Sequence, residues 1–120
     1  MAFPSRILGA GNSPLSASTI CGDGAVGLVA LGTTAADALQ LSAVHNTITT
    51  SAISTGVKLP PTEVGAHVVI FNNSGQTITV YPYNVSSTIN AGAASVTLAT
   101  AKTMMLAATS ATTWVSITGA

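Results

Sequence analysis

The stretch from Ala66 to Tyr81 constrains the fold more than any other part of the chain. Ala66-His67-Val68-Val69-Ile70-Phe71 places apolar residues on both faces of a period-2 ribbon. That pattern suits a central strand, or a strand whose outer face meets a partner. Asn72-Asn73-Ser74-Gly75 follows with turn chemistry, because Asn and Gly tolerate positive φ. Gln76-Thr77-Ile78-Thr79-Val80-Tyr81 then alternates, with Ile78 and Val80 on one face. The pair predicts a β-hairpin over 66–81, ended by Pro82.

Weaker strand signals flank it. Ala25–Leu31 is an apolar run. Leu39 with Leu41, Ile48 between two threonines, and Val57-Lys58-Leu59 alternate, and Pro60-Pro61 stops the last of these. Ile89-Asn90 and Val96-Thr97-Leu98 add short segments. Lys102–Ala108 and Trp114–Thr118 flank a polar turn and predict a second hairpin. Alanine, with 20 copies, favours helix, but no long window has a 3.6-residue apolar period. Threonine has 18 copies, and valine and isoleucine together 19, all β-branched. The period-2 pattern therefore predicts an all-β chain. The expected fold is a β-sandwich or jelly-roll-like barrel of about eight short strands over 25–120. Residues 1–24, with Pro4, Pro14 and four glycines, read as an extended N-terminal arm. Phe3, Ile7 and Leu8 are its candidate contact residues.

Charge narrows the function classes. Charged residues make up 5% of the chain and sum to zero. A folded chain of 120 residues has roughly 5,900 Å² of surface, so about one charge falls on each 1,000 Å². Three scattered cations cannot neutralise a run of phosphates, so no nucleic-acid partner is expected. A polybasic membrane-surface role is excluded on the same ground, and no apolar run approaches a membrane span. Arg6-Ile7-Leu8 runs into glycine, Asn12 and Pro14 before a signal-peptide apolar region forms, so secretory export is not expected. Such a surface desolvates with little electrostatic cost, which suits a subunit of a permanent assembly.

Chemistry-bearing motifs are sparse. The lone Cys21 sits in a turn-like context with no activating base beside it. His45 and His67 lack a set of partners at metal-ligand spacing, so no metal or other cofactor is expected. No nucleophile elbow, zinc-binding helix motif or phosphate loop occurs, and no enzymatic activity is expected. Asn72-Asn73-Ser74 and Asn84-Val85-Ser86 fit the glycosylation pattern and read as chance matches. Thr47/Thr49 and Thr77/Thr79 place hydroxyls on sheet faces, which ice-binding surfaces also do, but two pairs make no array. Strict alternation puts Trp114 opposite Val115 and Ile117, so it is either the plug of the core, by way of a local irregularity, or a residue facing a partner and thus an interface candidate. Tyr81 and Tyr83, on the face opposite Ile78 and Val80, are interface candidates, as are Val69 and Phe71.

One family resemblance runs through these residues. Ala38-Leu39-Gln40-Leu41, His45-Asn46-Thr47-Ile48-Thr49-Thr50 and Thr55-Gly56-Val57-Lys58-Leu59-Pro60 carry its first half. Gly65, Val68-Val69-Ile70-Phe71-Asn72-Asn73, Gly75, Val80-Tyr81-Pro82, Ile89-Asn90 and Thr113-Trp114 continue it. In this order and spacing, Asp37–Thr118 resembles the short β-rich virion proteins of tailed bacteriophages, namely capsid decoration (cement) proteins and fibre modules. The resemblance implies a structural role, commonly as a homotrimer on the capsid exterior with the major capsid protein as partner. It implies no catalytic residue. The other role it admits is a receptor- or glycan-binding fibre or tail module.

Overall fold

The computed structural model describes Gly11 and residues 22–119. Ten strands are present among them: β1 (Gly24–Val29), β2 (Leu39–Gln40), β3 (His45–Thr50), β4 (Gly56–Lys58), β5 (His67–Asn72), β6 (Ile78–Tyr81), β7 (Thr88–Ile89), β8 (Val96–Leu98), β9 (Lys102–Ala108) and β10 (Thr113–Gly119). The described residues contain no helix. The all-β expectation holds.

The sandwich or jelly-roll topology does not. The strands form a six-stranded sheet, β1-β3-β5-β9-β10-β7, and a four-stranded sheet, β2-β4-β6-β8. Up to β9 the chain changes sheet at every connection. Neighbours within a sheet are therefore two strands apart in sequence and run parallel: β1 with β3, β3 with β5, β2 with β4, β4 with β6. Parallel neighbours need a crossover, and here the crossover is a strand of the opposite sheet. Leu39, Val57 and Val80 consequently stand side by side on successive turns. This is solenoid-like stacking, in which each turn packs mainly on its neighbours. At one end β9 lies antiparallel on β5 and β8 antiparallel on β6, which closes the stack. At the other end β1 and β2 stand outermost among the described strands.

The two predicted hairpins fare differently. β9 and β10 pair antiparallel from Trp114 beside Ala108 to Gly119 beside Thr103. β5 and β6 do not pair at all, because they lie in opposite sheets. Asn72 is the cause. It is fully buried, and its amide nitrogen donates to Gln76 O at 2.7 Å and Leu98 O at 2.9 Å. Its Oδ1 accepts from Ser74 N at 3.2 Å and Ser74 Oγ at 2.6 Å. These bonds turn the chain across to the other sheet instead of back along its own.

Between the sheets lies one core. Ile48, Val68, Ile70, Met104, Leu106 and Trp114 enter it from the long sheet, and Val57, Ile78, Val80 and Leu98 from the short one. On β5 the residues alternate strictly between buried and accessible, so Val69 and Phe71 face outward.

Candidate functional site

Cross-strand register brings apolar side chains together on the outer face of the long sheet. His45, Val69, Met105 and Ile117 form one row across β3, β5, β9 and β10. His67, Ala107 and Val115 form the row on one side of it, and Thr47, Phe71 and Thr103 the row on the other. Met105 is 58% and Ile117 74% exposed. No formally charged residue stands in these rows. Val69 and Phe71, singled out from sequence, are thus part of a continuous apolar face. Met105, Val115 and Ile117 belong to it and were missed, although Met104-Met105-Leu106 is apolar on both strand faces just as 66–71 is.

Trp114 lies elsewhere. It is fully buried and fills the core, while its neighbours Val115 and Ile117 point outward in strict alternation. Its indole N–H finds Thr62 Oγ1, as a buried indole requires. Of the two readings the sequence allows, the plug is the one this placement matches.

Tyr81 and Tyr83 line a second feature, an open groove of about 720 Å³ beside the short sheet. Lys58 stands next to Tyr81 on the neighbouring strand, and Asn84, Thr88 and Ser95 also line the groove. The Tyr81 ring is held from two sides. Its hydroxyl donates to Thr33 O at 3.2 Å, and its edge passes so close to Gly56 that a Cβ there would stand 2.8 Å from the ring. Asn84 is held by Ser86 and Ser87, whose hydroxyls both donate to its Oδ1 at 2.8 and 3.0 Å. Ser87 in turn bonds Thr62, which ties this wall of the groove to Trp114 in the core.

Among the described residues no three His, Cys, Asp or Glu side chains cluster as metal ligands would. His45 and His67 are both exposed, on the outer-face rows. The two threonine pairs form no shared array, since Thr47 and Thr49 lie on β3 of the long sheet while Thr79 lies on β6 of the short one, with Thr77 just before it. Asn72 is buried and Asn84 Oδ1 is bonded within its own turn, so both sequon asparagines serve local structure. Phe3, Ile7, Leu8 and Cys21 lie outside the described residues.

Comparison with protein-family models, curated proteins and solved structures finds no match to this chain. The resemblance to phage virion proteins therefore stands on the residues quoted for it. The described surface thus carries two features: an outer sheet face where apolar side chains lie among His45, His67, Thr47 and Thr103, and a groove beside Tyr81 and Tyr83.

Proposed function

We propose that the chain is a non-enzymatic structural subunit of a virion, a decoration protein that binds the capsid exterior and bridges neighbouring major capsid subunits. The observation that carries this reading is the outer face of the long sheet, where Val69, Phe71, Met105, Val115 and Ile117 gather without a formal charge. Burying a side chain such as Met105 or Ile117 contributes about 1.5–3 kcal/mol. Two such anchors with half-buried neighbours give a binding centre of the kind that interfaces use.

Area decides how the face is used. Four strands at ~4.8 Å spacing and five residues at ~3.3 Å cover roughly 300 Å². A stable interface takes about 800 Å² from each partner. The face therefore acts together with a second contact, and residues 1–24, with Phe3, Ile7 and Leu8, supply it in this reading. Association as a homotrimer would multiply both contacts on a symmetric shell.

The test uses particles with and without the chain. Decorated particles are expected to withstand heating that disrupts bare ones. The double change Met105→Glu with Ile117→Glu is expected to abolish co-sedimentation with particles while the free chain still melts cooperatively. Equal heat resistance of bare and decorated particles, or full binding by the double variant, would overturn the proposal. Native mass spectrometry tests the trimer, expected at about 35 kDa from three chains of 11.8 kDa.

A further inference from the structure

We propose that the groove at Tyr81 and Tyr83 is a binding site for a short acidic saccharide, with the tyrosines as its stacking surface and Lys58 as the partner of its carboxylate. This inference does not rest on the assembly reading, since the groove borders the short sheet and the apolar face belongs to the long one.

Size comes first. At about 720 Å³ the groove falls within the range of roughly 300–1,000 Å³ typical of small-ligand sites. Its openness to solvent suits a ligand that enters by one or two units of a longer chain.

Lining chemistry comes second. Sugars present apolar C–H faces and polar hydroxyl rims, and tyrosine offers the matching pair of an apolar ring and a polar tip. Tyr83 is 39% exposed, so its ring is accessible in the free protein. Tyr81 is held by Thr33 and Gly56, so little side-chain freedom is lost when a ligand packs against it. Asn84 adds a fixed amide. Because its Oδ1 already accepts from Ser86 and Ser87, the amide orientation is set, and no described residue takes a hydrogen bond from its Nδ2. That nitrogen is a preset donor for a sugar oxygen.

Charge comes third and selects among saccharides. Among the described residues, Lys58 is the only charged one in the lining. It is half-buried and adjoins Tyr81 in the β4–β6 register. With no carboxylate in the groove to neutralise it, the site carries a net positive charge and favours an anionic sugar.

The experiment is a calorimetric or saturation-transfer titration of the full chain with digalacturonate and, separately, with neutral maltose. Digalacturonate is expected to bind saturably and roughly fivefold to tenfold more tightly than maltose. Tyr83→Ala is expected to abolish saturable binding of both, and Tyr83→Phe to preserve it. Lys58→Gln is expected to bring digalacturonate down to the affinity of maltose. The Trp114 fluorescence of each variant checks that the core is intact. Absence of saturable binding of both sugars at millimolar concentration, binding that survives Tyr83→Ala, or an acid preference that survives Lys58→Gln would each overturn the proposal.

Discussion

Trp114 and Thr62, 52 residues apart in the chain, are joined by one hydrogen bond, from indole N–H to Oγ1 at 3.0 Å. The direction of the bonds beyond it follows from counting protons. Ser87 Oγ spends its single proton on Asn84 Oδ1, so Thr62 must be the donor in the 3.0 Å contact with Ser87. The result is a directed chain, Trp114 to Thr62 to Ser87 to Asn84, running from the core to the wall of the tyrosine groove. Thr62→Val keeps the shape and removes the hydroxyl. It leaves the buried indole N–H without an acceptor and takes from Ser87 Oγ the proton it accepts, while Ser87 keeps its own bond to Asn84, at an expected cost of about 1–3 kcal/mol. Urea denaturation followed by the fluorescence of the sole tryptophan measures this directly. A loss below about 0.5 kcal/mol would mean that water replaces the hydroxyl without penalty.

How much of this was legible beforehand depends on range. The strand content of 66–71, 78–81 and 102–118 follows from local periodicity, and so does the outward direction of Val69 and Phe71. The sheet partners do not. The 72–75 stretch carries the residues of a hairpin turn, yet Asn72 satisfies all four of its bonds inside the corner, and Leu98, one of its partners, is 26 residues away. Nothing in the local pattern announces that contact. The groove was half legible: its two tyrosines and their shared face were visible, but Lys58 and Asn84 reach it only through the β4–β6 pairing and the 84–87 turn.

Gly56 is the position where one added methyl should matter most. A Cβ there would stand 2.7 Å from Thr79 O and 2.8 Å from the Tyr81 ring. The carbonyl belongs to the neighbouring turn and cannot yield without disturbing the β4–β6 ladder. Gly56→Ala is expected to destabilise the chain by about 1–3 kcal/mol. It should also swing Tyr81 away from Thr33, which ring resonances of Tyr81 would report. An unchanged ring environment with unchanged stability would show that the two turns can separate freely.

Asp37 gives the chain a local pH response. Its carboxylate accepts from Thr34 Oγ1 at 2.8 Å and Thr34 N at 2.9 Å. The side-chain bond from Thr34, then the backbone one, hold its pKa below the ordinary value. A depressed folded-state pKa adds stability that is fully present above the unfolded value of about 3.9 and is lost as pH falls through the lower folded value. Thr34→Val removes the stronger bond, so the Asp37 carboxyl is expected to titrate closer to its ordinary value in a carbon-detected NMR titration. No change on Thr34→Val would assign the depression to the backbone bonds alone.

Asn72→Asp converts the buried corner into a pH-dependent one. The two carbonyls of Gln76 and Leu98 now receive an N–H each from the Asn72 amide. A carboxylate there would turn lone pairs toward both carbonyl oxygens and be buried, a penalty that the half-buried Lys102 opposite it in the β5–β9 ladder offsets only in part. The change is expected to cost more than about 3 kcal/mol at neutral pH. Protonation restores one O–H donor and removes the charge, so the folded state favours the neutral acid and raises its pKa above the unfolded value of about 3.9. The sign is then opposite to that of Asp37. The part of the lost stability that protonation recovers is fully present below pH 3.9 and is lost as pH rises through the raised folded value. Urea midpoints of the variant relative to the parent chain should therefore improve from pH 7 toward pH 4. A deficit that stays constant over this range would show that the corner opens to solvent and no longer buries residue 72.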